Sequence, residues 1–518
     1  MDKLNTYRAS TLLANFQISK YKNIFFYIIS TLVVLPLWIV EYPPMIDLPQ
    51  HVAMINDYAK MLSGNEVHAQ FIEPQFFTPY FAAYFVSLFL ALFFPMLIAV
   101  KIMLSMAIFL FLYSIKKIIS FIDGDEYWSY LGMTVAISSA YYWGFITFIV
   151  ALPIGLLYFI YGVNYAGNPT RKKAILLAVF GVGLFFCHML VSVYFTAALF
   201  LYVILQNKNV KKNIVIALPI LSFLPIFLAY IIIKVFGESS GDLSTISWQH
   251  TPGRYKVILA SQLGYTSYLN NLLGILVLVT PFLLGGRFSR KISRLAPFIL
   301  VLAIVLLAPN YMLGVALLWS RYTILLLPML LFALDFEIKN RHSQLRQFIP
   351  IILATASIYI SCTASLDFSK KQQPLINLFE KMEPNLKVQT MIYYPYNSAL
   401  GLPTYEHIGL WYQYEKGGFV APNFARFFNL PRIYKDNDFT KEINAIPGAR
   451  NFSWLRSKAG CFDYFLARNN RDEFLFGLKK DAPKVKLIAT EDVWWLYRNI
   501  ARETCAWDTN KLKTEIGN

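Results

Sequence analysis

The sequence predicts an α-helical polytopic membrane protein with a C-terminal extracytoplasmic α/β domain. Of its 518 residues, 57% are hydrophobic and only 15% are charged, and the mean hydropathy is +0.47. Soluble domains usually carry roughly 25% charged residues. Apolar runs alternate with short polar connectors as far as residue 362, after which the composition becomes mixed. We therefore expect a transmembrane domain over 1–362 and a soluble domain over 363–518.

The apolar runs are near the length that a helix needs to cross a bilayer, about 17–25 residues, or fall somewhat short of it. The short runs suggest half-helices, or helices packed inside a bundle. The runs cover residues 24–40, 79–97, 98–115, 128–142, 143–163, 174–188, 189–206, 213–235, 270–285, 295–309, 322–335 and 348–362.

Basic connectors orient these runs. The formal net charge is +17, and much of the excess lies in connectors between apolar runs, so the positive-inside rule accounts for it better than binding to nucleic acid does. These connectors are expected in the cytoplasm, which places the loops 41–78 and 236–269, the turn near 309–321 and everything after 363 outside. The basic connectors are 168–173, 206–212, 285–294 and 337–346.

The number of membrane crossings depends on whether every apolar run crosses fully. Twelve runs from an inside N-terminus would return the C-terminus to the inside, and Lys116 and Lys117 also favour the inside. One run between 79 and 163 is therefore expected not to cross fully. We predict 11 transmembrane helices, with 13 as the other acceptable count.

The soluble domain shows its own periodicities. Segments 387–395, 461–468 and 484–499 have the alternation of strands, and 374–382 and 470–480 have the pattern of amphipathic helices. Cys461 and Cys505 lie in this domain and could form a disulfide in an oxidising compartment, or remain two free thiols.

Asp47 and His51 stand where the first span ends, in "EYPPMIDLPQHVAMINDY". A helix starting near Leu48 would carry Pro49 in its first turn, where proline is tolerated, and its apolar face could lie in the membrane interface. Ionisable residues at a membrane boundary are candidates for function. The alternative is an N-cap for Asp47 and an ordinary helical position for His51.

The second outside loop is also rich in polar groups: it carries Glu238, Asp242, His250 and Arg254 among aromatic residues. Aromatics beside cations suit a sugar and a phosphate, and they are also usual at a membrane interface. A solvated loop is the alternative explanation.

Two further candidates lie near the outer face. Arg321 sits in an apolar stretch, where it either meets an anionic ligand or extends its charge to the interface. His188 lies at the outer end of a helix hairpin, where a single histidine more often packs or forms a hydrogen bond than binds a ligand. The sequence contains no P-loop and no GxSxG motif, which argues against ATP-driven transport and serine hydrolysis.

Four segments of the sequence resemble the GT-C fold of integral membrane glycosyltransferases. They are "YPPMIDLPQHVAMI", with its P-P-x-x-D-x-P-x-H pattern, "YYWGFITFIVALPIGLLYF", "FFCHMLVSVYF" and "ALLWSRYTILLLPMLLFAL". The resemblance implies a bacterial inner-membrane enzyme with a periplasmic C-terminal domain. Such an enzyme moves a sugar from a polyprenyl-phosphate donor to a glycan, lipid or protein acceptor.

The resemblance also assigns roles to residues. Asp47 matches the catalytic acidic residue of the family, which acts as general base or as ligand to a divalent metal such as Mg or Mn. Arg321 could neutralise the departing phosphate. His51, His188, His250, Arg254, Glu238 and Asp242 are candidates for substrate binding. No second acidic residue is adjacent to Asp47, and the candidates for such a residue in the first loop are Glu41, Asp57 and Glu73.

The main alternative function is a transporter or flippase. A polysaccharide polymerase or ligase and a non-catalytic scaffold rank below it.

Overall fold

The computed structural model is a bundle of helices that carries a mixed sheet at one end. It describes residues 24–64, 72–206, 209–236, 246–248, 254–264, 267–312, 315–336, 344–426, 430, 432–434, 449–455, 457–503 and 505.

The helices are numbered in chain order: α1 Ile24–Trp38, α2 Leu48–Leu62, α3 Phe81–Leu90, α4 Met96–Phe121, α5 Ser129–Ala136, α6 Ser139–Trp143, α7 Ile146–Gly167, α8 Arg171–Cys187, α9 Met189–Gln206, α10 Val210–Ile220, α11 Leu224–Phe236, α12 Arg254–Ala260, α13 Tyr268–Leu283, α14 Ile292–Leu307, α15 Leu318–Arg321, α16 Leu326–Phe332, α17 Gln344–Glu380, α18 Leu410–Lys416 and α19 Arg471–Leu478.

Several of these helices are long and apolar enough to cross a membrane. Among the described residues α4, α7, α9 and the part Phe348–Glu380 of α17 meet that requirement singly. The pair α10 and α11 meets it only as one span bent by 54°. Shorter apolar helices surround them, as the short runs of the sequence predicted. The count of 11 to 13 crossings stays a prediction.

The run at 79–97 contains the short helix α3 and the start of α4. The α3 helix has 10 residues and therefore spans only about 15 Å. Tyr84 in α3 lies beside His51 in the first loop, and the Leu97 amide at the start of α4 donates a hydrogen bond to Tyr414 of the C-terminal domain. That one run between 79 and 163 does not cross fully stays a prediction.

The strands are short, except in the C-terminal domain: β1 Ile72–Pro74, β2 Gly286–Phe288, β3 Tyr311–Met312, β4 Val315–Ala316, β5 Leu334–Phe336, β6 Lys387–Ile392, β7 Phe419–Ala421, β8 Arg432–Tyr434, β9 Tyr464–Arg468, β10 Val485–Glu491 and β11 Trp494–Asn499.

Five of the strands form one sheet in the order β10–β11–β9–β6–β7. The inner strand β6 is parallel to β7 on one side and to β9 on the other, whereas β10 and β11 form an antiparallel hairpin that pairs with β9. Strands thus form in all three segments where the sequence predicts them. The helix α17 runs from the last apolar segment into this domain without interruption.

The first loop is clamped between the bundle and the C-terminal domain. Helix α18 packs on α2, and β1 of the loop pairs with β8 of the domain. The Gln413 side chain donates a 2.5 Å hydrogen bond to the carboxylate of the fully buried Asp57. The Tyr42 hydroxyl donates another to Glu415. The sequence predicted that the apolar face of α2 could lie in the membrane interface, whereas the structure buries most of α2 between the bundle and the domain.

Cys461 and Cys505 form a disulfide with a Cα–Cα distance of 5.8 Å, which settles the open alternative in favour of pairing. The other two cysteines, Cys187 and Cys362, are free. The disulfide fastens the chain that follows β11 to the turn that precedes β9.

We predict that denatured protein reacts with a maleimide at two cysteines before reduction and at four after reduction, as counted by intact mass. The variant C187S/C362S serves as the control and should take up no label until it is reduced. Four labelled cysteines in unreduced wild-type protein, purified with thiols blocked at lysis, would contradict the pairing.

Candidate active site

The backbone of the first loop is pinned to the end of α6. The Ile46 amide donates to the Tyr142 carbonyl at 2.8 Å, and the Asp47 amide donates to the Trp143 carbonyl at 3.1 Å. The last carbonyls of a helix lack partners within the helix, so an adjacent segment with free amides satisfies them. These two hydrogen bonds fix where Asp47 enters the site.

Gly144 makes this close approach feasible. It ends α6 in the left-handed conformation, with φ +76°. A Cβ atom at this position would lie 2.8 Å from the Asp47 amide nitrogen and 2.9 Å from that of Leu48. No feature singled out in the sequence predicted this role for Gly144.

The Asp47 side chain does not serve as a helix cap. Asp47 occupies the N-cap position of α2, but its carboxylate accepts no capping hydrogen bond. The N-cap explanation is therefore wrong for the side chain. The carboxylate is 16% exposed, and its Oδ1 lies 3.5 Å from Nε2 of His407, a residue of the C-terminal domain.

Burial gives this carboxylate an unusual proton affinity. Desolvation raises the pKa of Asp47 to about 7, the charge of Arg321 opposes that rise, and Glu406 adds to it. Loss of hydration disfavours the charged form of a carboxyl group, whereas a nearby cation favours it. Asp47 consequently takes up or releases a proton near neutral pH.

Arg321 supplies the cation of the site. Its guanidinium lies over the Phe145 ring at 3.6 Å, and its Nε donates to the Ala316 carbonyl at 3.3 Å. Arg321 and Asp47 influence each other without forming a direct ion pair, both being described residues. The guanidinium therefore keeps donors available beside the carboxylate.

His51 belongs to the same group but is held tightly. Its Nδ1 lies 2.7 Å from the Tyr84 hydroxyl, and its ring packs against Phe424. Burial, together with the charges of Arg321 and His407, lowers the pKa of His51 to about 3. His51 is thus a buried, neutral neighbour of Asp47 and not a residue exposed at an interface.

His188 is a buried residue that joins α8 to α9. It is 1% exposed and packs edge-on against Tyr80 and Phe148, with ring centroids 4.7 and 5.3 Å away. The charge of Arg321 therefore acts on three of the predicted site residues, Asp47, His51 and His188.

Arg254 is engaged elsewhere. Its guanidinium donates to the carbonyls of Val305 and Ala308, at 2.9 and 2.8 Å, and lies over the Trp319 ring. It thus caps the C-terminal end of α14, a common use of arginine. Glu238, Asp242 and His250 lie outside the described residues.

No described acidic residue of the first loop joins Asp47. Glu41 and Glu73 are exposed, and Asp57 is bound to Gln413 on the far part of α2. Glu406, which acts on Asp47 electrostatically, comes from the C-terminal domain and was missed. Its position directly after Tyr405, in the aromatic stretch 404–418, was the available signal.

Among the described residues, no group of three or more His, Cys, Asp and Glu side chains lies together, and the neighbour that acts most strongly on Asp47 is the cation of Arg321. A protein cage for a divalent cation is therefore not seen in the described part of the chain. A divalent metal held by one carboxylate, water and substrate phosphates stays an expectation of the resemblance.

The fold resembles that of a known membrane enzyme. The crystal structure of ArnT from Cupriavidus metallidurans bound to undecaprenyl phosphate matches with a TM-score of 0.52 at 10% identity, over 94% of this chain and 100% of that one. No protein-family model and no curated protein matches the sequence. The expected GT-C fold is thereby confirmed as a fold.

We predict that Gly144→Ala lowers turnover at least about tenfold with little change in substrate KM, because the new methyl group displaces the Asp47 backbone and left-handed strain is added. Turnover and melting temperature are measured together. Gly183→Ala is the matched control, since no atom would meet its methyl group within 4 Å. Wild-type turnover in Gly144→Ala would contradict this account of how Asp47 is placed.

Proposed function

We propose that this chain is a glycosyltransferase that moves a sugar from a polyprenyl-phosphate donor to an acceptor hydroxyl at the outer face of the cytoplasmic membrane. One observation carries the proposal. The carboxylate of Asp47 is mostly buried, and the charge of the Arg321 guanidinium acts on it. Asp47 stands at the position where the GT-C resemblance expects the catalytic acidic residue. The ArnT fold, solved with a polyprenyl phosphate bound, supports the class of donor.

The reaction assigns a task to each group. The acceptor hydroxyl attacks the anomeric carbon of the sugar while Asp47 accepts the hydroxyl proton. The bond between that carbon and the phosphate oxygen breaks, its electron pair stays on the polyprenyl phosphate, and the configuration at the carbon inverts. Arg321 stabilises the charge that grows on the phosphate, because guanidinium donors match phosphate oxygens.

The proton affinity of Asp47 suits this task. A general base is most effective when its pKa lies near the working pH. A fully hydrated aspartate has a pKa of about 3.9 and is too weak a base to take a hydroxyl proton readily. Burial brings the pKa of Asp47 to about 7, which strengthens the base while leaving it largely ionised slightly above neutral pH.

The described residues give no support for a metal-bound step, and none is invoked. The departing group already carries a phosphate, so one carboxylate and one guanidinium are sufficient for the step as written. A divalent metal as cofactor remains an expectation of the resemblance alone.

The proposed orientation rests on two features. Basic residues are concentrated in connectors between the apolar segments of the sequence, which favours a cytoplasmic position for those connectors and an outside position for the loop that carries Asp47. The Cys461–Cys505 disulfide favours an oxidising compartment for the domain. Both features support a periplasmic site. The acceptor is a glycan, a lipid or a protein.

A transporter or flippase has less support. Transporters bind their substrates near the middle of the membrane, between discontinuous helices of two matching halves. Asp47 instead lies where the bundle joins the C-terminal domain, with His407 of that domain 3.5 Å away, and the charge of Arg321 acts on it.

We predict that Asp47→Asn reduces sugar transfer by about 10²- to 10⁴-fold, the usual contribution of a positioned general base. Transfer from a polyprenyl-phosphate-linked sugar is measured in membranes or detergent at saturating donor. Glu73→Gln, an exposed acid of the same loop, should retain activity. Wild-type turnover by Asp47→Asn would refute the catalytic role.

We predict that Arg321→Gln has two effects. Loss of a charge-assisted contact to the phosphate should lower kcat/KM about 10- to 100-fold. Because Arg321 opposes the raised pKa of Asp47, its loss should also raise that pKa further, and the acid limb of the pH–rate profile, near 7 in the wild type, should move to higher pH. Lys256→Gln removes an exposed positive charge and should leave the profile unchanged. An unshifted or down-shifted limb in Arg321→Gln would contradict the electrostatic coupling.

A further inference from the structure

We propose that His407 is a positioning residue of the transferase, held by Gln50 as the tautomer that carries its proton on Nε2, so that it donates a hydrogen bond to the Asp47 carboxylate. The inference rests on the proposed function, and it adds a second group to the site from the C-terminal domain. It follows from the orientation of the Gln50 amide, the His407 ring and the Asp47 carboxylate.

The orientation of the Gln50 amide is fixed by two backbone groups. Its oxygen Oε1 accepts from the Phe424 amide at 3.1 Å, and its nitrogen Nε2 donates to the Pro422 carbonyl at 3.0 Å. A reversed amide would place oxygen against a carbonyl and nitrogen against an amide, and both contacts would be lost. Since Gln50 is 1% exposed, such a loss would be costly.

That orientation in turn selects the His407 tautomer. Gln50 Nε2 lies 3.3 Å from His407 Nδ1 and has a second hydrogen to donate. A neutral imidazole has one donor and one acceptor nitrogen. Because Nδ1 faces a donor, it acts as the acceptor, and the ring proton resides on Nε2.

The donor nitrogen faces the catalytic carboxylate. His407 Nε2 lies 3.5 Å from Asp47 Oδ1, somewhat beyond the usual N–H···O range of about 2.7–3.2 Å. Catalytic hydrogen bonds commonly shorten when substrate binds. The ring is held edge-on to Phe424, with centroids 5.0 Å apart, so it keeps its direction.

A neutral donor suits the base better than a cation would. The charges of Arg321, in α15, and of Glu406, in the C-terminal domain, already act on Asp47, and His51 of α2 is neutral. A protonated His407 would add a second cation and weaken the base. The Gln50 donor opposes protonation of Nδ1, so His407 orients the carboxylate without adding charge.

The arrangement also joins two parts of the chain into one site. Gln50 and Asp47 belong to the first loop, whereas His407, Pro422 and Phe424 belong to the C-terminal domain. The catalytic carboxylate is therefore fully oriented only when the domain is seated on α2.

Two substitutions of His407 test the inference. His407→Phe keeps a ring but removes both nitrogens, whereas His407→Gln retains an amide N–H donor. We expect His407→Phe to lower kcat about 10- to 100-fold, as for loss of one hydrogen bond to a charged group, and to move the acid limb of the pH–rate profile upward. KM for the polyprenyl-phosphate sugar should change less than about twofold, since the residue acts through Asp47. His407→Gln should recover most of the turnover.

The variant Gln50→Glu probes the tautomer separately. A carboxylate at position 50 would accept a proton from Nδ1, so that His407 would either turn its lone pair toward Asp47 or become an imidazolium. We expect a loss of kcat similar to that of His407→Phe. Melting temperatures in detergent identify variants that fail to fold, and His407→Gln keeps the test valid if Gln50→Glu is one of them.

The outcomes distinguish this inference from the proposed function. If Asp47→Asn is inactive while His407→Phe keeps the wild-type kcat and pH profile, the inference fails and the proposed function stands. Equal losses in His407→Phe and His407→Gln with an unchanged pH profile would indicate a purely structural role and would also overturn it. An active Asp47→Asn would refute the proposed function itself.

Discussion

The pairing of the first loop with the end of α6 is the constraint on which the rest of the site depends. Two hydrogen bonds and one left-handed glycine bring the chain at Asp47 into backbone contact with the bundle. Everything else is arranged around that point: Arg321 approaches from the segment after β4, and His407 approaches from the C-terminal domain. A carboxylate held on a free loop would regain its water and, with it, an ordinary proton affinity.

The sequence predicted the parts of this architecture that depend on composition and periodicity. Apolar runs, basic connectors and the alternation in 387–395 and 484–499 are local signals, and helices and strands form at those places. The run at 79–97, whose crossing the sequence left open, contains the short helix Phe81–Leu90, which ends after 10 residues. The motif in the first loop directed attention to Asp47, and the structure places that residue beside Arg321.

Contacts between distant segments could not be read from the sequence. His407 and Glu406 come from the aromatic stretch 404–418, in which Trp411 and Tyr412 are buried. Nothing local indicated that His407, 360 positions after Asp47, would face it. The N-cap explanation for Asp47 failed because its backbone is helical, with φ −90° and ψ −7°, whereas a capping residue usually has an extended backbone.

The unbroken helix α17 has a consequence for how substrates arrive. Its 37 residues extend over about 55 Å, from the last apolar segment to the edge of the sheet. Pro350 and Pro374 lie inside this helix, yet it continues into the C-terminal domain without a flexible linker, which limits how far the domain can swing relative to the bundle. Under the proposed function, a long acceptor would then present its reactive end close to the bilayer.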